Sequence, residues 1–327
     1  MTRPLLFPLV PLYRFALALR ELRLGTSLEP VRHLRFPVVS IGSLSAGGSG
    51  KTPLTIALAQ ALMRRSLHVD VLSRGYGRQS DAVTRVDPSG TAAEFGDEPL
   101  LIARAAGVPV YVATQRYRAG LLAEAAPSES NVPAVHLLDD GFQHRQLHRD
   151  VNILLLDAQD FEDHLLPAGN LREPLRAIRR AHVIAIPADN PELESRLKAS
   201  NWQGTVWHLR RCMQVPPIDG PVVAFCGIAR SKQFFAGLEA AGLHLASRLA
   251  FPDHHLYVQH DLDCIQDAAR STAAAAFVTT EKDRVRLGEL AAAFSESRPL
   301  KTAQLCTEIE DEDTVIDRLT GRLPGIL

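Results

Sequence analysis

A glycine-rich segment at residues 45–52 contains the residue types that bind the phosphates of a nucleotide. Glycines let backbone N–H groups approach phosphate oxygens, and a helix that follows directs the positive end of its dipole at the same anion. In a P-loop, the lysine reaches the β- and γ-phosphates and the Ser/Thr hydroxyl ligates Mg²⁺. We therefore expect ATP to be bound by Ser45, Ala46, Gly47, Gly48, Ser49, Gly50, Lys51 and Thr52.

The flanking residues favour a P-loop over a turn whose glycines serve geometry alone. A β-branched apolar run precedes the segment at 38–41, and a helical apolar pattern follows it at 53–65. Ser45 stands where the usual motif has its first glycine. Paired glycines also occur in switch-type partitioning ATPases, which carry a lysine where this chain has Ala46. That difference weakens the alternative of a nucleotide switch.

Two adjacent acids, Asp139 and Asp140, end a second apolar run at residues 134–138. A buried strand that ends in carboxylates has the form of a Walker B element. In parallel sheets, ligands bind at the carboxyl ends of the strands, so these acids should face the P-loop. We expect them to hold Mg²⁺ together with Thr52.

Further charged residues open predicted helices or follow predicted strands. Asp97 precedes a proline and a helical pattern, so it is either a helix N-cap or a functional acid. Arg74 and Arg78 follow a predicted strand and are candidates for contacts with an anionic substrate, with solvated arginines as the alternative. A further basic segment lies at 116–118. Arg172 begins a basic patch that also suits a phosphate-bearing substrate.

The composition argues against several classes of function. A formal net charge of −1 and an aromatic content of 6% give no bulk attraction to nucleic acid and no platform for stacked bases. The 4 cysteines are widely spaced and include no Cys-x-x-Cys pair. We expect them to be buried free thiols in a reducing, cytosolic compartment. No feature indicates an obligate protein partner.

Strands alternate with helices along most of the chain, which predicts an α/β fold. We expect a P-loop NTPase-like, doubly wound, mostly parallel sheet with a second, smaller α/β domain joined by a two-strand linker. The predicted division is an N-terminal segment at 1–30, a P-loop core at 31–204 and a smaller domain with its linker strands at 205–308. A C-terminal helix at 309–327 should pack back on the core.

The first thirty residues combine apolar side chains with arginines. Their longest apolar run is about ten residues, short of the roughly twenty that span a bilayer. Arg14 interrupts the region that a cleaved signal would need. A helix at 12–24 would carry leucines and Phe15 with arginines at its edges, which is typical of helices that lie on a membrane surface. The alternative is a helix packed on the protein's own core.

Seven motifs follow one another in an order that is similar to that of one known family. They are residues 45–53, Ser-Arg-Gly-Tyr-Gly at 73–77, Gly-Asp-Glu-Pro at 96–99, Asp-Asp-Gly-Phe-Gln-His at 139–144, Gly-Asn-Leu-Arg-Glu-Pro at 169–174, Phe-Pro-Asp-His-His at 251–255 and Thr-Thr-Glu-Lys-Asp at 279–283. Over nearly its whole length, the chain resembles the tetraacyldisaccharide 4'-kinases of Gram-negative bacteria, whose loop also lacks the first glycine.

The resemblance implies a reaction, a location and a partner. The family transfers the γ-phosphate of ATP to the 4'-hydroxyl of tetraacyldisaccharide 1-phosphate and so forms lipid IVA in lipid A biosynthesis. It works at the cytoplasmic face of the inner membrane. The protein should accordingly be a peripheral or monotopic membrane enzyme, with the lipid disaccharide as its partner. The alternatives are a nucleotide switch of the partitioning or metallochaperone type, and a small-molecule kinase whose N-terminal segment belongs to its core.

The resemblance also assigns roles to residues. Asp97 would be the catalytic base, with His254 as its partner across the domain cleft, although His255 stays open as the alternative. Lys51 would neutralise charge on the phosphates, and Glu173 would help the two Walker B acids hold Mg²⁺. Contacts with the substrate are expected from Arg74, Tyr76, Arg116, Gln143, Asn170 and Arg172.

Overall fold

The computed structural model describes residues 3–27, 29–126, 132–295 and 298–326. Their strands are joined in one sheet. In chain order these strands are β1 (Val38–Ser43), β2 (His68–Ser73), β3 (Thr84–Arg85), β4 (Val110–Val112), β5 (Ala134–Leu138), β6 (Val151–Leu155), β7 (Val183–Pro187), β8 (Thr205–Gln214), β9 (Val222–Cys226), β10 (Leu245–Ala250), β11 (Ala276–Thr280) and β12 (Leu300–Ile309). Their order across the sheet is β10-β9-β11-β12-β8-β7-β6-β1-β5-β2-β4-β3.

Helices fill most connections between the strands. The α-helices are α1 (Val10–Arg23), α2 (Lys51–Arg64), α3 (Ala92–Phe95), α4 (Asp97–Ala106), α5 (Arg116–Ala125), α6 (Pro191–Ala199), α7 (Ser231–Ala240), α8 (Gln259–Ser271), α9 (Glu281–Leu287), α10 (Ala291–Ser295) and α11 (Glu312–Thr320). Short 3₁₀ helices occur at Pro4–Leu9, Ala158–Phe161, Leu175–Arg180 and Gly288–Leu290. The predicted α/β class is confirmed.

The strand β1 lies near the middle of the sheet, between β5 and β6, and all its residues are buried. Its apolar side chains alternate between two cores: Val39 and Ile41 face α2 and α4, and Val38 faces the opposite side. The parallel pairing with β5 brings the loop after β1 beside the acids after β5. Gly42 permits this approach, because a Cβ there would lie 2.6 Å from the Cβ of Phe142.

The pair β8 and β12 joins the two parts of the sheet. The strand β8 is parallel to β7, whereas β12 is antiparallel to β8 and parallel to β11. In the C-terminal half, α7 and α8 pack on β9 and β10. The division between 31–204 and 205–308 stays a prediction, because one continuous sheet runs through both ranges.

The prediction for the cysteines was wrong for three of the four. Cys212 in β8 and Cys306 in β12 form a disulfide, and Cys264 is an exposed free thiol; Cys226 alone is free and buried. The two bonded cysteines stand directly opposite each other in the antiparallel pair. Their separation of 94 residues leaves no local signal of that pairing in the sequence.

The terminal helices pack on the first part of the sheet. In α11, Ile316 and Leu319 enter the apolar core that contains Leu58 of α2, and Arg65 pairs with Asp317 at 2.9 Å. At the other end of the chain, α1 covers residues that were predicted to be helical. Among the described residues, no helix is long and apolar enough to cross a membrane.

A buried group of charges lies between β5, β2 and α5. The imidazole nitrogens of His136 lie 3.5 Å from Asp70 and 3.5 Å from Glu124. Burial acts to lower the pKa of His136, but the two carboxylates outweigh it and raise the pKa above its ordinary value. The protonated imidazole therefore stabilises the fold.

This raised pKa predicts how stability changes with pH. The contribution of His136 should be fully present below about pH 6.5, the ordinary histidine pKa, and be lost as the pH rises through the higher folded value. Urea unfolding near pH 6 and near pH 9 should show a larger loss of unfolding free energy in the parent than in His136→Asn. The exposed His244→Asn is the control, and an equal pH dependence in all three proteins would contradict the prediction.

Candidate active site

A cleft of about 950 Å³ opens where the two parts of the sheet meet. The P-loop residues 47–53 form its floor, and segments that follow β2 and β5 flank them. The opposite wall comes from residues after β9, β10 and β11. Strand ends from both parts of the sheet therefore border one space, which is where ligands bind in open α/β sheets.

Backbone bonds hold the P-loop in place. The Ala46 N–H donates to the Asn170 carbonyl at 2.8 Å, and the Arg172 N–H donates to the Leu44 carbonyl at 2.7 Å. Residues 47–52 line the cleft, whereas Ser45 is buried and its hydroxyl is directed at Asp160. Of the eight predicted nucleotide-binding residues, the last six are thus placed to meet a ligand directly.

The Lys51 ammonium lies inside this cleft among oxygen atoms. Its Nζ lies 3.3 Å from the Ser43 hydroxyl, 3.3 Å from the Ser49 hydroxyl and 3.6 Å from Asp140 Oδ1. The side chain is largely buried, so its charge is poorly screened by water. A phosphate in the loop would take the place of these weaker partners.

The two Walker B acids lie together but in different surroundings. Asp139 is buried and accepts bonds from the Thr55 and Ser73 hydroxyls at 3.3 and 3.4 Å. Burial, together with the nearby charges of Glu98 and Asp140, raises its pKa. Burial also acts to raise the pKa of Asp140, but Lys51 and Arg172 outweigh it and lower that pKa.

These acids fit a magnesium ion. Asp140 Oδ1 is buried and has no hydrogen-bond partner, and the carboxylate beside it is destabilised by burial and like charge. Mg²⁺ prefers one or two carboxylates combined with phosphate oxygens and water. Among the described residues, no group of three or more His, Cys, Asp or Glu side chains could hold a metal ion on its own.

Asp97 begins α4, directly before the cleft-lining residue Glu98, and meets His254 from the other part of the sheet. Its Oδ2 lies 3.3 Å from His254 Nδ1, whereas His255 bonds instead to Asp261 at 2.8 Å. The structure therefore brings His254, and not His255, to this acid. Gly96 is the N-cap residue of α4, so Asp97 is not its N-cap.

The surroundings of Asp97 keep it ionised. Burial acts to raise its pKa, but the hydrogen bond with His254 and the charges of Arg286 and Lys282 outweigh burial and hold the pKa below its ordinary value. In turn, the hydrogen bond to Asp97 raises the pKa of His254. The pair combines a fixed negative charge with an imidazole that can carry a proton.

Most of the predicted substrate residues line the same cleft. They are Arg74, Tyr76, Arg116, Gln143 and Arg172. Arg116 is nearly buried, and burial together with repulsion from Arg74 lowers its pKa to about 10. Its Nε is buried without a hydrogen-bond partner. Such a guanidinium attracts an anion into the cleft.

Besides Ser45 and Ala46, three predicted site residues lie outside the cleft lining, namely Asp97, Asn170 and Glu173. Asn170 donates its side-chain N–H to Asp163 at 2.8 Å, and Glu173 forms an ion pair with Arg180. Both side chains are therefore engaged away from the Walker B acids. Asn170 still supports the P-loop through its backbone carbonyl.

The fold also brings to the site several arginines that the sequence motifs do not predict. Arg211 in β8 donates to the Ser49 carbonyl at 3.0 Å, and the side chain of Arg230 lies against Gly48. Arg286 in α9 bonds to Asp97. The motif at 279–283 overlaps the start of α9, but it ends before Arg286 and therefore does not predict a role for that residue.

Known proteins of similar sequence or structure share one description. A family described as tetraacyldisaccharide-1-P 4'-kinase (LpxK) matches residues 2–324 of the chain. A tetraacyldisaccharide 4'-kinase of Koribacter versatilis is 41% identical over 322 residues, which cover 95% of this chain and 97% of the relative. One from Aquifex aeolicus is 38% identical over 270 residues, 79% of this chain and 84% of the relative. A crystal structure of LpxK from Aquifex aeolicus in complex with ATP has a TM-score of 0.73 at 30% identity and covers 97% of this chain and 98% of that one.

Proposed function

The chain belongs to the tetraacyldisaccharide 4'-kinase family, and on that premise we propose how its residues carry out phosphoryl transfer. The protein is an ATP-dependent kinase of lipid A biosynthesis. It transfers the γ-phosphate of ATP to the 4'-hydroxyl of tetraacyldisaccharide 1-phosphate and so forms lipid IVA. The alternative of a nucleotide switch finds no support among the relatives.

The proposal for the chemistry starts from the acceptor hydroxyl. A sugar hydroxyl is a poor nucleophile, so a carboxylate within hydrogen-bond reach takes its proton as the bond to phosphorus forms. Asp97 is that base. Its carboxylate is ionised, and its neighbours Glu98 and His254 line the same cleft as the P-loop. The observation that carries this proposal is the 3.3 Å contact between Asp97 and His254, which come from opposite walls.

His254 orients the base and shares its charge. Its raised pKa means that the imidazole can hold a proton beside the carboxylate. Because it follows β10 and Asp97 begins α4, the pair forms only when the two walls are close. A base that is complete only in the closed state limits wasteful ATP hydrolysis by water.

The nucleotide phosphates are bound by the P-loop. The N–H groups of 47–52 and the start of α2 receive the phosphates, and Lys51 neutralises charge that develops during transfer. Thr52, Asp139 and Asp140 would hold Mg²⁺, whereas Glu173, whose carboxylate pairs with Arg180, is not among the ligands that we propose. When bound, Mg²⁺ would supply positive charge that offsets the negative charge of the nucleotide phosphates.

The lipid disaccharide is held by the basic side of the cleft. Arg74, Arg116 and Arg172 supply positive charge, and Tyr76 supplies a ring that lies 5.4 Å from His254, centroid to centroid. Gln143 lines the cleft beside Arg172 at 3.4 Å, and Asn170 helps to shape it through its contact with the P-loop. Guanidinium groups recognise phosphate through paired hydrogen bonds.

The test of the activity uses purified full-length protein with labelled ATP, Mg²⁺ and tetraacyldisaccharide 1-phosphate. Label should appear in a lipid of higher charge only when both substrates and the cation are present. A disaccharide that lacks its acyl chains separates the lipid kinase from a plain small-molecule kinase, since only the latter would use both acceptors equally. ATP hydrolysis without transfer would refute the proposal.

We also infer that the protein works at the cytoplasmic face of the inner membrane, with α1 on the bilayer. One face of this helix packs on the protein through Val10, Tyr13 and Leu17. The other face exposes Leu12, Phe15 and Leu22, whose side chains are 67%, 67% and 76% accessible. The helix thus combines the two predicted alternatives, because one face packs on the protein's core and the other exposes apolar side chains that suit a membrane surface.

This arrangement predicts a large effect of surface changes on membrane binding. Replacing Leu12, Phe15 and Leu22 by serine should lower the vesicle-bound fraction at least about tenfold, because burying each side chain contributes roughly 1.5–3 kcal/mol. Flotation with phosphatidylethanolamine–phosphatidylglycerol vesicles measures it. The exposed apolar residues Met63 and Leu121, replaced by serine, are the control. Equal flotation of both variants would contradict the inference.

A further inference from the structure

Arg286 joins the two walls of the cleft from inside the protein. Its side chain is 2% exposed although it carries a charge. The Nε donates to Asp97 Oδ2 at 2.8 Å, and Nη2 also bonds to Asp97. On the other side, Nη1 donates to the Gly227 carbonyl at 2.6 Å and to Asp283 Oδ1 at 3.1 Å. One guanidinium therefore connects the proposed base to two elements of the opposite wall.

The same guanidinium also reaches the imidazole. Arg286 Nη2 lies 3.2 Å from His254 Nδ1, which in turn lies 3.3 Å from Asp97 Oδ2. Nδ1 can donate to Asp97 when it carries a proton, or accept from Arg286 when it does not. Arg286 is therefore a hydrogen-bond partner for the unprotonated form of the imidazole, as Asp97 is for the protonated form.

A second ion pair lies beside the first. Lys282, one turn earlier in α9, pairs with Glu98, which follows Asp97 in α4. Two cations of α9 thus meet two acids of α4. This places the start of α4 against α9 through charge rather than through apolar packing alone.

We propose that Arg286 is a positioning residue for the kinase reaction, which fixes the Asp97 carboxylate against His254. This inference rests on the proposed role of Asp97 as the base. Arg286 does not reach the reacting atoms itself; it acts through Asp97. Nε and Nη2 of its planar fork both donate to the same oxygen, Asp97 Oδ2, and fix that oxygen in place, which a flexible ammonium would do less well.

The charges around Asp97 show why Arg286 matters for pH dependence. Glu98 lies beside Asp97 on the same helix, α4. From α9, Lys282 and Arg286 face Asp97, and Asp283 lies behind Arg286. The loop after β10 adds Asp253 and His254. In this set Arg286 and the protonated His254 are the cations in direct contact with the carboxylate. Loss of Arg286 leaves only His254 and Lys282 to oppose burial and the nearby acids, so the pKa of Asp97 rises toward the protonated form, which cannot act as a base.

The test compares pH–rate profiles of the full chain at saturating ATP and lipid. Arg286→Gln should lower kcat and move the acid limb of the profile upward by about one to three pH units, because an opposite charge in contact shifts a carboxyl pKa by that amount. The KM for ATP should stay near the parent value. Arg284→Gln removes the same charge from the exposed face of α9 and should behave as the parent.

The lysine variant keeps the test decisive if the glutamine variant does not fold. Arg286→Lys retains the charge but not the fork, so its acid limb should match that of the parent while kcat falls about tenfold or more, with KM unchanged. Parent-like kcat at every pH in Arg286→Lys, or profiles of Arg286→Gln and Arg284→Gln that coincide, would overturn this inference. Asp97→Asn separates the two proposals: if that variant keeps its activity, the role of Asp97 itself is wrong.

Discussion

Replacing Asp97 with asparagine is expected to lower kcat by roughly a thousandfold, within the range that a positioned base contributes. Asparagine keeps the shape of the side chain and removes its ability to take a proton. Arg286 retains Asp283 and the Gly227 carbonyl as partners, so the variant should fold. Transfer of label from ATP to the lipid measures the loss.

The control is Asp87→Asn, which removes an acid from an exposed loop in the same part of the chain. It should keep the parent rate, and nucleotide affinity should be unchanged in both variants. Turnover of Asp97→Asn within about threefold of the parent would contradict the role of Asp97 as the base. The acid would then be a structural partner of Arg286 only.

Replacing Lys51 with alanine is expected to lower kcat by about 10²–10³-fold, as does removal of one preorganised donor at a developing charge. Lys51 is held among Ser43, Ser49 and Asp140, so its ammonium is already in place before the nucleotide arrives. Asp140 keeps Arg172 as a partner at 2.8 Å in the variant. Stability should therefore change less than activity does.

For this second variant, Lys232→Ala supplies the matched control, because Lys232 is exposed on α7. Both kcat at saturating ATP and the ATP dissociation constant should be measured. We expect kcat to fall more than affinity, because the contact strengthens as charge builds up in the transition state. A variant that loses affinity alone would show that Lys51 binds the ground state without assisting transfer.

The nucleotide side of the site could be predicted from sequence because its signals are local. Residues 45–52 carry their chemistry in consecutive positions, and the acids at 139–140 end an apolar run. The rule that parallel strands present their carboxyl ends at one edge then brings the two together. No long-range knowledge was needed beyond the α/β alternation.

The other wall of the cleft could not be derived in this way. Arg286 lies 189 positions from Asp97, and Cys212 lies 94 from Cys306, so nothing near either residue indicates its partner. Such contacts depend on how β8 and β12 direct the second part of the chain over the first. The predicted cleft contacts of Glu173 and Asn170 were wrong for the same reason, since the sequence near them does not indicate that their side chains bind Arg180 and Asp163.

The helix α1 has two roles, because one face lines the cleft and the other exposes apolar side chains. Its Tyr13 hydroxyl donates to the Arg172 carbonyl at 2.9 Å, and Arg20 bonds to the Gln143 carbonyl. Trimming the N-terminus would therefore remove part of the cleft lining, namely Tyr13, Leu17 and Arg20, together with the exposed apolar side chains of α1. To improve solubility, it is better to replace only the exposed apolar residues of α1, Leu12, Phe15 and Leu22, because these substitutions leave the cleft lining intact.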